Sequence, residues 1–135
     1  MGTAQYTSTP KNGSAQISVA NTNRDGTGTL GTVYTAGTSG ARIDSILIQA
    51  TDTTTAGMIR FFLSVDTGTT KLLIGEVAVT AATPSSTVQA FSTILDSNVS
   101  GFLEKGLILE ASAILYASTN NAETFNVIPN IAGNF

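Results

Sequence analysis

Apolar side chains in this chain recur at every second position, and no stretch holds them at the spacing of an amphipathic helix of normal length. The clearest case is Met58 to Val65. Ile59, Phe61, Leu63 and Val65 fall on one side, and Met58, Arg60, Phe62 and Ser64 on the other. Asp66-Thr67-Gly68-Thr69 follows as a turn, and Lys71 to Val79 returns, with Leu73, Val77 and Val79 on a shared face and Gly75 placed for a bulge. Ile43 to Ala50 is apolar on both faces through Ile46-Leu47-Ile48, which predicts a central, well-covered strand. Leu107 to Tyr116 alternates again, with Leu107, Leu109, Ala111, Ala113 and Leu115 together. Phe125 to Ile131 is the last strand, and Pro129 argues for placing it at an edge.

Weaker strands are expected at Ala15 to Ala20 and Leu30 to Thr35. Val88 to Ile94 fits either period and is read as a strand. Roughly seven to nine short strands with regular turn signals point to an all-β fold, an antiparallel β-sandwich or jelly roll. At 135 residues this is a single domain. Residues 1–14 are polar and read as an extended N-terminal arm, leaving 15–135 as the sandwich. The expected core comprises Ile46, Ile48, Ile59, Phe61, Leu63, Leu73, Val77, Leu109, Leu115, Phe125 and Val127.

Composition then narrows the chemistry. Cys, His and Trp are absent, which removes disulfides, Cys nucleophiles, His-based triads and His or Cys metal sites. Only 11% of residues are charged and the net charge is −3. Six basic residues spread from Lys11 to Lys105 make no clustered basic surface, so no nucleic-acid partner is expected. The uncharged run Val77 to Leu95 contains Thr80, Thr83, Pro84, Ser85, Ser86 and Gln89, which reads as strand–loop–strand and not as a membrane span. Met1 to Tyr6 has no secretory pattern, and a soluble chain is expected.

Two motifs carry possible chemistry. Gly26-Thr27-Gly28-Thr29-Leu30-Gly31 matches the dinucleotide fingerprint, but that motif works between a strand and a helix, and here β-prone Thr32 to Thr35 follows. Asp66-Thr67-Gly68 matches the aspartic-protease triplet, yet the apolar-apolar-Gly segment such enzymes place far downstream occurs only as Leu73-Ile74-Gly75, on the next strand. Ordinary hairpin chemistry accounts for it. Asp25, Asp44, Asp52 and Asp96 sit singly in or beside loops, and no calcium-loop pattern occurs. Glu76 and Glu110 interrupt apolar strands and are read as facing solvent, with Arg60, Arg42 or a neighbouring subunit as alternative partners. No catalytic, cofactor-binding or metal-ligating residue is assigned, and no cofactor is expected.

Asn23 to Thr29, Thr53 to Phe62, Gly75 to Val79, Thr83-Pro84-Ser85 and Ala117 to Val127 resemble, in order and spacing, a family of small β-rich virion structural proteins of tailed bacteriophages. The resemblance runs from about residue 16 to the C-terminus and includes no catalytic residue. It implies a non-enzymatic capsid decoration, or cement, protein on the outer capsid surface, made in the host cytoplasm. Its implied partners are the major capsid protein and itself, as a homo-oligomer and most often a trimer. A tail-fibre or neck-associated β module that binds a receptor or another virion protein is the alternative. Tyr6 and Phe135, aromatic side chains in otherwise polar termini, are the candidate assembly contacts. A surface rich in Thr, Ser and Asn suits burial by neighbours, because hydroxyls and amides find hydrogen bonds where buried charges demand partners.

Overall fold

The computed structural model describes residues 11–96, 103 and 106–134. Its strands are β1 (Lys11–Asn12), β2 (Ala15–Ile17), β3 (Gly31–Thr35), β4 (Ala41–Ala50) and β5 (Gly57–Ser64). They continue with β6 (Leu72–Val79), β7 (Ser92–Leu95), β8 (Leu107–Leu109), β9 (Ile114–Thr119) and β10 (Phe125–Asn134). All pairings between named strands are antiparallel, and they form two sheets. In the first sheet, β1 and β2 share one flank of β10, β10 pairs with β4, and β7 and β8 share the far flank of β4. In the second the order is β3-β9-β5-β6.

This order defines the fold more closely than the strand pattern does. With each interrupted edge taken as one row, the first row pairs with the last (β1/β2 with β10). The second then pairs with the second-last (β3 with β9), the third with the third-last (β4 with β7/β8), and the middle two with each other (β5 with β6). That is a long hairpin rolled over on itself, the topology of a jelly roll. The sandwich or jelly roll expected from alternation is therefore present, in its jelly-roll form.

The core lies between the sheets. Ile43, Ile46, Ile48, Phe125, Val127 and Ile131 enter from the first sheet and Ile59, Phe61, Leu115 and Val33 from the second, all almost fully buried. Phe91 meets Phe125 edge-on at 6.3 Å between ring centroids. Most of the expected core residues are here. Leu63 and Val77 are half-buried against it. Leu73 is not in it. Phe61 pairs with Gly75 and Phe62 with Leu73, so a bulge at Ile74 turns Leu73 to the opposite face and Ile74 takes its place against the core.

Three further expectations are corrected. Pro129 does not mark an edge: β10 lies between β4 and the β1/β2 row. Its carbonyl accepts from the Gly13 amide at 3.2 Å, and an antiparallel residue turns both its backbone groups to the same neighbour. The missing N–H thus faces the break between β1 and β2, where the ladder is already interrupted. A Cβ on Gly13 would lie 2.7 Å from Pro129 Cγ, so the close approach needs glycine.

Leu107 to Tyr116 is two strands in different sheets. A turn at Glu110 to Ser112, with Ser112 at φ 65° and the Ala113 amide bonded to the Glu110 carbonyl, carries the chain across. Leu109, Ala113 and Leu115 keep their alternation because both sheets feed one core, while Ala111 is exposed. Finally, the strand at Val88 to Ile94 is confined to Ser92–Leu95, with Val88 in a turn closed by Ser85.

Candidate functional surface

The two sheets treat their outer faces differently. On the second sheet, Arg60, Phe62 and Ser64 point away from the inter-sheet core, yet all three are buried. The connection from β2 to β3 folds over this side. Asn21, itself buried, builds its frame: the side-chain amide donates to the Thr27 and Thr29 carbonyls at 3.0 and 2.9 Å and accepts from the Asn23 amide at 3.0 Å. The Asn21 backbone amide bonds to the Thr119 carbonyl, which fixes the loop to β9. Arg24 then reaches Glu76 on β6. Glu76 also accepts from Arg60 Nε at 3.1 Å, and Arg60 Nη1 donates to Asn120 at 3.1 Å. Glu76 is thus paired, with Arg60 as one of its partners, and does not simply face solvent. Further along, Gly26 sits against Lys71 at φ 85°. A Cβ there would lie 2.5 Å from the Lys71 carbonyl oxygen, so only glycine closes this contact. The Lys71 ammonium in turn lies 5.4 Å from the Tyr116 ring centroid.

Both motifs singled out in the sequence meet at this end. Asp25 to Gly28 and Thr69 to Leu72 line a polar cleft between them. Gly31 opens a strand and no helix follows the glycines, so the pyrophosphate-binding context is lacking. Asp66 caps its own hairpin: Oδ1 accepts from Ser64 Oγ at 2.9 Å and from the Thr70 amide at 2.8 Å, while the Gly68 amide donates to Ser64 Oγ. The Thr70 amide chiefly, with the Thr70 and Ser64 side chains, holds the Asp66 carboxyl below its ordinary value. Asp25 is lowered likewise by the Thr27 hydroxyl and then the Thr27 amide. Among the described residues no group of three or more acidic side chains is placed to hold a metal ion.

Among the described residues the first sheet has no such cover. Ile128, Leu47 and Ile94 are register partners across β10, β4 and β7, and they form one apolar row on its outer face. Leu47 and Ile128 are half-buried and Ile94 is 57% exposed. The run Ile46-Leu47-Ile48 is therefore central but covered on one face only. Amides flank the row. Gln16 donates to Asn126 at 2.9 Å on one side, and Asn130 donates to Ser45 at 2.8 Å on the other. The charged pair Arg42–Asp44, at 2.9 Å, neutralises itself. Beside Ile128 the small residues at the β1/β2 break leave a shallow recess of about 330 Å³, lined by Ser14, Ala15, Gln16, Asn126 and Ile128.

Tyr6 and Phe135, the candidate assembly contacts, lie outside the described residues. The row Ile128–Leu47–Ile94 was not among the sequence candidates. Its signal, an apolar residue inside each of three separate strands, is meaningful only once their register is known.

What fold and surface define together is a jelly-roll domain with one outer face closed by its own loop and one that no described residue covers. No family model, curated protein or solved structure matches the chain.

Proposed function

We propose that this chain is a non-enzymatic structural protein of a bacteriophage virion, a capsid decoration protein that stabilises the head by binding seams of the major capsid protein. The observation that carries the proposal is the outer face of the first sheet, whose described residues form an apolar row bordered by amides, with the Arg42–Asp44 charges paired to each other. Such a face can be covered by a neighbouring copy within a shell without stranding charges, as a many-copy structural protein requires. The resemblance in Asn23 to Thr29, Thr53 to Phe62 and Ala117 to Val127 favours the same role. Jelly rolls serve capsids, lectins and other ends, so the fold alone does not choose among them.

In this reading the protein acts as a homotrimer at local threefold positions on the outer shell, and Tyr6 and Phe135 contribute contacts to neighbours. Imaging intact particles tests it. Density for this chain on the outer shell at threefold positions is the expected result, and density on the tail or neck refutes it. Deleting residues 1–10 should lower both attachment and the heat resistance of particles; unchanged values would remove Tyr6 from the contact set.

The polar cleft between Asp25–Gly28 and Thr69–Leu72 favours a second reading, a tail-fibre or neck-associated β module that binds a receptor or another virion protein. Saturable binding of a glycan, abolished by Thr70→Tyr, would support it.

A further inference from the structure

We infer that the outer face of the first sheet is a homotypic interface, and that a second copy of this chain covers the row Ile128–Leu47–Ile94. The inference deepens the proposed function by naming the surface through which copies join.

Three observations choose a second copy over a partner of different chemistry. The first is charge. Among the described residues the ion pair of this face, Arg42–Asp44, closes on itself, so two such faces meet there without bringing like charges together. A strongly basic partner would meet no acidic cluster among the described residues.

The second is shape. Ile94 projects at the β7 edge, and the recess at Ser14 and Ile128 lies toward the opposite edge of the same face. Register places Ile94 and Ile128 on either side of Leu47. A projection at one edge and a recess toward the other suit head-to-tail contact, in which each copy gives Ile94 to the recess of the next. Such contacts close into a ring when the rotation permits.

The third is area. Four rows about 4.8 Å apart and strands of about ten residues give a face of about 500 Å² per copy, hence roughly 1,000 Å² in all. That reaches the lower bound of a specific interface, so association should depend on concentration. Amides at the border supply hydrogen bonds: Gln16 and Asn126 at one side, Asn130 and Ser45 at the other.

The test is the mass of the full chain in solution, by light scattering across a concentration series. Wild type should associate. Ile94→Arg, at an exposed position, should raise the dissociation midpoint by about tenfold or more without changing thermal unfolding of the dilute chain. Ser14→Phe, which fills the recess, should do the same. Val88→Arg, also exposed but in the connection from β6 to β7 and on no strand of this sheet, should leave the mass as in wild type. A wild-type chain that stays monomeric at every concentration overturns the inference. So does an oligomer that survives both face variants, or one that Val88→Arg dissociates equally. A monomer that still attaches to particles, and detaches as Ile94→Arg, would give the face to the shell and overturn the homotypic assignment while leaving the decoration role intact. An oligomer joined through this face but absent from the capsid would do the reverse.

Discussion

The outer faces of the two sheets are built from similar strands and end in opposite conditions. On the second sheet a thirteen-residue connection, residues 18–30, folds back to β9 and β6 on the side where Arg60 and Phe62 are buried. On the first, Leu47, Ile94 and Ile128 stay partly in water. The closed face is held by specific polar devices: Asn21 inside the loop, the Arg24–Glu76–Arg60 chain, and a glycine against Lys71. Among the described residues the open face carries cross-strand amide pairs and the Arg42–Asp44 pair, all made within its own sheet. One face has been completed within the chain; in the proposed assembly a second copy completes the other.

That contrast can be broken at several points. The largest effect should come from Phe62→Ala. If the closed face is part of the cooperative fold, this substitution costs about 3–5 kcal/mol in denaturant titration, as much as Phe61→Ala between the sheets. A cost near zero would mean that the loop is merely laid on the surface. Glu76→Gln comes next. It leaves the buried Arg60 guanidinium without its carboxylate and should cost about 1–3 kcal/mol. Gly26→Ala should cost about 1–2 kcal/mol from backbone strain, and it should raise amide exchange in the loop selectively.

Acid offers a gentler probe of the loop and hairpin at that end. Asp25 and Asp66 both titrate below their ordinary value of 3.8 in the folded chain, so folding favours their ionised forms. Their contribution is complete above that value and is lost as pH falls through the folded pKa. Asp66→Asn should therefore have a lower thermal midpoint than wild type at neutral pH, with the gap closing in acid. A gap that persists unchanged would place the effect elsewhere than in the charge. The smallest effect is expected on the open face: Ile94→Ser should change stability of the dilute chain by no more than about 0.5 kcal/mol. A larger loss would show that Ile94 is already packed within one chain.

The inter-sheet core was legible because alternation is local. Ile59 and Phe61, or Ile46 and Ile48, announce their side by their neighbours, and the jelly roll preserves it. Legibility ended wherever burial depends on distant chain. Nothing near Phe62 signals its burial, and the residues that fix the connection on that side, Asn21, Arg24 and Gly26, are polar or small. The Ile74 bulge moved Leu73 across the sheet because a single extra residue inverts a two-residue period. Leu107 to Tyr116 hid a change of sheet, because both halves address one core. Pro129 gave the wrong sign because the rule against proline in central strands assumes an unbroken neighbour, and here the neighbour breaks opposite it. The open row was illegible for a related reason: three residues far apart in sequence become one surface only through register.

The pairing of Lys11 with Ile131 has a mechanical consequence. The described chain enters and leaves the sandwich at one corner, on adjacent antiparallel strands. Tension applied through these two ends would load the β1–β10 hydrogen bonds one after another, like the teeth of a zipper, and would not strain them all at once in shear. A domain with this layout is weak along its own ends. Pressure borne across the faces of the sheets would instead be spread over the whole core. As a part in a loaded structure, this protein is suited to act as a rivet and poorly suited to act as a rope.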